Sequence, residues 1–599
     1  MRIKIALGIF FLVWILLLVR VYYISIKSNA YYEEIAKQNA IKTEELAPLR
    51  GSILDINGKP LSVNKLGFSI GIKPQLSSKR KRKILDEELN YIVSLMPNLD
   101  INKLKKKYLK QDSPYGHEYV KVVDFISYDE IIPNFAKLSL RKNLKIKISS
   151  KRYYPYGSLA SHIIGYVGKS NLKDIQRDKI AKLTGFIGRT GIEKYYNSVL
   201  EGREGLKKTK VTAFNEEIEV LSKELPKSKD IKLTLDLRLQ EYISKLFEGK
   251  SGAIIVMNAK NGKILAAGSF PEYDLNNFVN GISQDEWKKL SSDFNHPFTN
   301  KLINGLYPPG SVVKMGVAMA LLESGLITPY TTFYDTGTFE LGGRNFRCWK
   351  QRGHGKVRLV KAIRESCDDY FYKASLRVGI DRITPVLKDL GFGRKTGVDL
   401  PNEFIGTVPG RRWKMNKYQK PWYQGETLIT SIGQGYFLVT PMQVARYTAL
   451  LATGYSVTPH FLDSVGGLEV DFGKDETVFK KRYNKYLKII RKAMYEVVHV
   501  AHGTATNYVR TKVEIAGKTG TAQVVGIPQS EKKRMKEYEL EYFKRSHAWL
   551  TTYGPYKDPQ YVVTAMVEHG GHGGSAAGAI ISKIYDKLLE LGYIKTTKK

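Results

Sequence analysis

Ser311 and Lys314 stand three residues apart in YPPGSVVKMGVAMALLESG, which begins at Tyr307. A serine hydroxyl becomes a nucleophile only when a base takes its proton, and a desolvated lysine with a depressed pKa can be that base. Pro308, Pro309 and Gly310 do not comfortably continue a helix, and the apolar run after Ser311 reads as a buried one. Ser311 is therefore expected at a helix N-terminus, where free backbone N–H groups and the dipole favour a developing anion. Lys314 projects from the same face. The Ser-x-x-Lys spacing alone is weak, because Ser62/Lys65 and Ser78/Lys81 share it in polar segments that lack the helix start. Two more groups lie downstream. Ser366-Cys367-Asp368 ends a helical run, AIRESCDDYFY, and is expected as a polar tip in a loop. IAGKTGTAQ places Lys518, Thr519, Gly520 and Thr521 on a strand. Gly520 has no side chain, so a substrate is expected to lie flat there, while Lys518 offers a charge for a carboxylate. Lys395-Thr396-Gly397 repeats the same letters between turn residues and reads as a structural loop.

A second constellation involves both cysteines of the chain. Cys348, His354 and Cys367 have the spacing C-x5-H-x12-C, and Asp335 lies upstream in TTFYDTGTF. Thiolate, imidazole and carboxylate are ligand types that zinc takes, and four of them close a tetrahedral structural site. A Cys348–Cys367 disulfide and two plain buried thiols are the competing readings. The disulfide leaves His354 and Asp335 unexplained. Two cysteines neither build a disulfide framework nor fix the redox compartment.

Hydropathy patterning predicts what must position these residues. IKLTLDLRLQEYISKLF, from Ile231, alternates like a strand and runs into a helix, and GAIIVMNAKNGKILAAGSF (Gly252 to Phe270) reads as a β-hairpin around Lys260-Asn261-Gly262. Helical stretches follow, then strands in VEIAGKTGTAQVV and YVVTAMVE, then a closing helix, AIISKIYDKLLELG. This order predicts an α+β domain with helices packed on an antiparallel sheet. Residues 25 to about 235 are rich in Lys, Tyr and short polar turns. Within them PLRGSILDINGKPLS reads as a hairpin turning at Asn57-Gly58, and GRTGIEKYYNSVLEG as a helix closed by a glycine. No internal repeat or low-complexity segment is visible.

The chain of 599 residues is long enough for two or more domains, and its 43% apolar content fits a globular rather than a disordered or polytopic protein. A net charge of +37, with runs such as SKRKRK and LKKKYLK, suggests an anionic neighbour or simply solvated basic faces. IALGIFFLVWILLLVRVYYI, Ile5 to Ile24, carries Arg20 as its only charge. At about 1.5 Å per residue it spans about 30 Å, the thickness of a bilayer core. Arg20 can snorkel, and Tyr22 and Tyr23 suit the interface. A cleaved signal peptide has a shorter apolar core and an A-x-A site, so an uncleaved anchor is favoured. Lys27, Lys37 and Lys42 offset Arg2 and Lys4, leaving orientation open.

Ser-x-x-Lys, Ser-x-Asp and Lys-Thr-Gly, in that order, resemble the signature set of penicillin-binding proteins and serine β-lactamases. RGSILDINGKPL, GRTGIEKYYNSVLEGREG, GETLITSIGQGYFLVTPMQVAR and HAWLTTYGPY resemble class B penicillin-binding proteins, and the likeness covers nearly the whole chain. Asp368 in place of the commoner Asn, and RNFRCWKQRGHG before it, are similar to the elongation-type branch, the penicillin-binding protein 2 (MrdA) family. The resemblance implies a cytoplasmic tail (1–4), one inner-membrane helix (5–24), a non-catalytic pedestal (25–235), a periplasmic transpeptidase domain (236–592) and a basic tail (593–599). It excludes nucleic acid as a partner and implies instead peptidoglycan stem peptides, β-lactams, the SEDS glycosyltransferase RodA and the rod-elongation complex. By the same resemblance Ser311 is the nucleophile, Lys314 takes its proton, and Ser366, beside Asp368, relays a proton toward the leaving amine. Ser311 and Thr521 supply oxyanion N–H groups, and Lys518, Thr519 and Thr521 bind the carboxylate.

The resemblance also tips the cysteine question toward one structural Zn2+ held by Asp335, Cys348, His354 and Cys367. The family can carry zinc here, and Cys348 stands where an aspartate can stand, a chemically compatible change. Other functions remain to be weighed: a scaffold that activates a glycosyltransferase, a D,D-carboxypeptidase or β-lactamase passing the acyl group to water, and a β-lactam sensor. The intact triplet argues against a pure scaffold. No glutamate motif after Ser366 resembles a deacylating base, and a sensor would normally carry several spans.

Overall fold

The structure, a computed structural model, describes residues 2–27, 41–116, 118–212, 217–279, 281–475, 477–525 and 536–595. The chain divides into two compact units, Met1–Gly51 with Ser170–Phe186 and Glu201–Lys229, and Ser52–Lys169 with Ile187–Leu200 and Asp230–Lys599.

In the first unit an α-helix covers Arg2–Tyr22 and a π-helical turn continues through Tyr23–Lys27. Ile3–Lys27 is long and apolar enough to cross a membrane, with mean hydropathy 2.5 and an exposed surface. The helix takes in Arg2 to Lys4, expected as a tail, because Arg, Ile and Lys are compatible with helix and the backbone ladder runs on regardless of hydropathy. A three-stranded antiparallel sheet joins Ile41–Leu46, Gly205–Val211 and Glu217–Glu224, with the second strand in the middle. Lys179 bridges Glu45 at 2.8 Å and Glu204 at 2.7 Å on its surface.

The second unit takes in stretches from both the expected pedestal and the expected catalytic domain. Ile53–Leu54 and Pro60–Ile72 form the predicted hairpin, with Asp55 Oδ1 accepting the N–H groups of Asn57 and Lys59 across the turn. Ile53–Leu54 then pairs in parallel with Ile231–Leu233, which pairs antiparallel with Leu462–Val465. One sheet thus joins strands of the expected pedestal to a strand of the expected catalytic domain, while the chain passes from the first compact unit to the second between Lys229 and Asp230. The helix expected over GRTGIEKYYNSVLEG is two short ones, Gly191–Tyr195 and Asn197–Leu200. The break at Tyr196 lets its hydroxyl donate to buried Asp399 at 2.9 Å. Strands Pro60–Ile72, Val120–Ser127 and Leu144–Tyr153 and helices Arg82–Leu95 and Ile101–Gln111 enclose a separate small core around Ile70, Leu89 and Tyr108. The LKKKYLK run lies on the second of these helices, burying Leu104 and Tyr108 while Lys105 and Lys107 pair with Asp86 and Asp124. It is a solvated helix face.

The catalytic part is built on a five-stranded antiparallel sheet: β1 (Gly252–Asn258), β2 (Ile264–Phe270), β3 (Ala516–Ala522), β4 (His547–Gly554) and β5 (Tyr561–Val567), in the order β2-β1-β5-β4-β3. Nearly every residue of β1, β2, β4 and β5 is buried, so the strands read as continuous apolar runs covered on both faces. The helices used below are α1 (Lys314–Glu323), α2 (Leu359–Arg364), α3 (Asp368–Val378), α4 (Thr477–His499) and α5 (Gly573–Glu590). Packing does not stop at residue 592: Tyr593 donates to Asp236 at 2.8 Å and Ile594 is buried, and residues 596–599 of the expected basic tail lie outside the described residues.

Candidate active site and metal centre

Ser311 sits in a 3-10 turn, Gly310–Val313, that leads directly into α1. α1 is apolar on all sides and buried, which places Lys314 among hydrophobic side chains with no exposure at all. A buried lysine amine needs partners. Lys314 Nζ finds Asp368 Oδ1 at 2.7 Å, Ser366 O at 3.0 Å and Ser366 Oγ at 3.4 Å.

Ser366, Cys367 and Asp368 form the junction between α2 and α3 rather than the tip of a single helix. Ser366 adopts φ 54°, and Cys367 caps α3, its sulfur accepting the Tyr370 N–H at 3.4 Å. Asp368 is held from its other side by the Trp349 N–H at 3.0 Å. Lys518, on β3, donates to Ser366 Oγ at 3.0 Å and to Thr519 O at 2.9 Å. Burial, reinforced by the charge of Lys314, holds the Lys518 amine well below the usual lysine range. One hydroxyl therefore touches two amines, and the three groups make a path for a proton.

β3 is the edge strand of the sheet, and the nucleophile turn packs against it. A Cβ on Gly310 would lie 2.8 Å from Thr521 O, so the backbones of Ser311 and Thr521 are neighbours. Gly520 has a packing role as well. A Cβ there would meet Val312 Cγ1 at 3.0 Å and Pro309 O at 3.1 Å, so the missing side chain makes room for the turn that carries Ser311. Thr519 and Thr521 alternate to the other face of the strand.

The look-alikes have structural partners or lie on the surface. Ser62 Oγ donates to Glu193, which forms a buried ion pair with Arg152 at 2.7 Å. Ser78 is exposed in the turn before Arg82–Leu95. Thr396 and Gly397 bind the Glu403 carboxylate in a loop.

Asp335, Cys348, His354 and Cys367 converge: all four are buried, and one ligand atom from each lies within 4.8 Å of the others. Both cysteines are free thiols. His354 Nδ1 is 2.6 Å from Asp335 Oδ2 and 3.5 Å from Cys348 Sγ, and Cys367 Sγ is 3.3 Å from the same carboxylate oxygen. Burial opposes a charged imidazole, yet the hydrogen bonds to Asp335 and Cys348 push His354 up to about 9. The hydrogen bond from the Cys367 thiol holds Cys348 below the usual thiol range. A carboxylate and a readily formed thiolate enclosed together, with a second thiol and an imidazole facing them, are a donor set that fits a cation such as zinc. The cluster also reaches the catalytic loop, since Cys348 Sγ accepts the Asp368 N–H at 3.4 Å.

Three neighbours of the site were not singled out from sequence: Trp349, Arg364 and Thr504. Trp349 stands next to a proposed ligand, but no spacing signals its bond to Asp368. Thr504 reaches the site only because α4 ends beside β3.

Fold and site together define a serine acyl-transfer class built on an antiparallel sheet. Residues 252–586 match the penicillin-binding protein transpeptidase domain and residues 45–233 the penicillin-binding protein dimerisation domain. Peptidoglycan D,D-transpeptidase MrdA of Haemophilus influenzae is 37% identical over 97% of this chain and 90% of its own length. Among solved structures, the complex between penicillin-binding protein PBP2 and MreC from Helicobacter pylori matches with a TM-score of 0.85 and 45% identity, covering 92% of this chain and 99% of that one. A structure describing coordination of polymerization and crosslinking by a peptidoglycan synthase complex matches with a TM-score of 0.70 and 27% identity, covering 100% and 99%. The chain belongs to the penicillin-binding protein transpeptidases and, within them, to the MrdA peptidoglycan D,D-transpeptidase family.

Proposed function

We propose that this chain cross-links peptidoglycan stem peptides through an acyl-enzyme on Ser311, and that β-lactams inhibit it by acylating the same hydroxyl. The observation that carries the assignment is Ser366 Oγ between Lys518 Nζ at 3.0 Å and Lys314 Nζ at 3.4 Å, with the Ser311 turn packed on β3. Ser311 Oγ attacks the carbonyl carbon of the penultimate D-Ala, and its proton passes to Lys314. The Asp368 carboxylate, 2.7 Å from that amine, stabilises a proton arriving there. Ser366 hands a proton on to the nitrogen of the departing D-Ala as the C–N bond breaks. An amine of a second strand then attacks the ester, re-forming the Ser311 hydroxyl. Backbone N–H groups of Ser311 and Thr521 face the oxyanion; losing one such donor typically costs about 3 kcal/mol of barrier. Lys518, Thr519 and Thr521 hold the terminal carboxylate on the edge strand.

Asp335, Cys348, His354 and Cys367 hold one zinc ion in this reading. A zinc ion held by these four residues would compensate the buried anionic charge and would steady the loop bearing Ser366 and Asp368. The anchor helix sits in the inner membrane and the transpeptidase domain in the periplasm, facing the wall. RodA is the proposed glycosyltransferase partner, and the matched synthase-complex structure and the PBP2–MreC complex support membership of an elongation assembly.

The test is covalent labelling with a fluorescent penicillin. Wild type should label and Ser311→Ala should not; an adduct persisting in Ser311→Ala would refute the nucleophile assignment.

A further inference from the structure

We propose that Thr504 is a positioning residue that orients the Thr519 hydroxyl toward the substrate carboxylate. The proposal rests on the acylation reading above. Thr504 lies in HGTATN, just beyond α4, and its Oγ1 is 2.6 Å from Thr519 Oγ1. Each hydroxyl has a single proton. If Thr519 donates to Thr504, it turns lone pairs toward the cleft and repels an anion. If Thr504 donates to Thr519, the Thr519 proton is free to point at the anion. A carboxylate only accepts, so productive binding requires the second arrangement, and each bond in such a chain polarises the next.

The position of Thr504 is built rather than incidental. Its N–H donates to Arg364 O at 3.3 Å, two residues before Ser366, and the Arg364 guanidinium pairs with Glu365 at 2.6 Å and with Glu496 on α4 at 3.4 Å. A Cβ on the preceding Gly503 would stand 2.4 Å from Val497 O and 2.5 Å from Glu496 O, so a residue with a side chain there would displace the loop. On the opposite side, a Cβ on Gly574, in the first turn of α5, would lie 2.8 Å from Thr504 O. Thr504 is thus clamped between α2, the end of α4 and the start of α5, half-buried itself and with its hydroxyl against that of buried Thr519. The same peptide links the Ser366 loop to the Lys518 strand.

The test uses the full-length chain and measures second-order acylation by benzylpenicillin and by its methyl ester, which has the same reactive ring without the anionic carboxylate. Thr504→Val keeps the shape and loses the proton; Thr504→Ser restores it. Loss of one hydrogen bond oriented to a charged group predicts an acylation rate about tenfold lower for Thr504→Val with benzylpenicillin, with Thr504→Ser within about threefold of wild type. The slow reaction with the methyl ester should be equal in wild type and Thr504→Val. Equal rates for wild type and Thr504→Val with the free acid would overturn the proposal. So would equal slowing of acid and ester, which indicates a displaced strand, or failure of Thr504→Ser to rescue. No adduct on wild type, or an adduct on Ser311→Ala, would instead overturn the acylation reading on which the proposal stands.

Discussion

Ser366 shows how much one side chain's surroundings decide. Its hydroxyl meets Lys314 and Lys518, and its neighbour Cys367 belongs to the four-residue donor cluster. Local geometry at this junction is therefore shared between the proposed proton path and the proposed metal site. Cys367→Ser tests that sharing. Elemental analysis should find about one zinc per wild-type chain and close to none in the variant, since a serine hydroxyl is a poor zinc ligand. Penicillin acylation should fall with it, because serine still caps α3 but the approach of Asp368 to Lys314 depends on how the neighbouring residue 367 is held. A metal-free wild type with a Cys348–Cys367 disulfide and full activity would contradict both expectations.

At the scale of elements, the nucleophile turn and β3 are pressed together at Gly520, where an added Cβ would stand 3.0 to 3.1 Å from Val312, Pro309 and Trp549. Gly520→Ala should cost about 1–2 kcal/mol of stability and slow acylation at least about tenfold, because a well-packed contact must open by a few tenths of an ångström. A thermal melt and a penicillin-labelling time course measure the two effects separately. Glu272, beyond the end of β2, accepts the Ala160 N–H at 2.7 Å and the Ser244 hydroxyl at 3.1 Å, and burial pushes its carboxyl up to about 7 from an ordinary value near 4.5. The folded chain therefore holds a proton between those two values that the unfolded chain has already released. Stability falls as pH rises through this window and then stays level. Glu272→Gln keeps an acceptor for the Ala160 N–H and offers its amide N–H to the Ser244 oxygen, without the charge. It should gain about 1 kcal/mol over wild type at pH 8, a figure reduced by the side chain's partial exposure, and nothing at pH 4. Denaturant midpoints at the two pH values decide it.

For the whole molecule, the candidate catalytic residues and the metal cluster fall within one compact unit, and the apolar N-terminal helix belongs to the other. Removing residues 1–27 should release the chain from the membrane fraction while penicillin acylation stays within about twofold of the full chain, as expected when a site is held by its own core. Fractionation and labelling of the shortened chain check this. A large loss of acylation would mean that the helix contributes to the site.

The sequence by itself determined the reaction chemistry. Ser311 and Lys314 sit one helical turn apart, Lys518 to Thr521 lie on consecutive strand positions, and the Asn57–Gly58 turn and the membrane-length apolar run are read from neighbours in the chain. Such features depend on backbone periodicity and local sterics, which a short window contains. The ligand types of Asp335, Cys348, His354 and Cys367 were legible too, but their meeting within 4.8 Å was not. Only the tertiary structure decided that Gly520 makes room for the nucleophile turn, that Tyr196 breaks a helix to reach Asp399, that one sheet crosses the expected domain boundary at 235, and that Thr504 lies against Thr519. Each depends on which faces of distant elements bury one another, a collective outcome of core packing that no local spacing encodes.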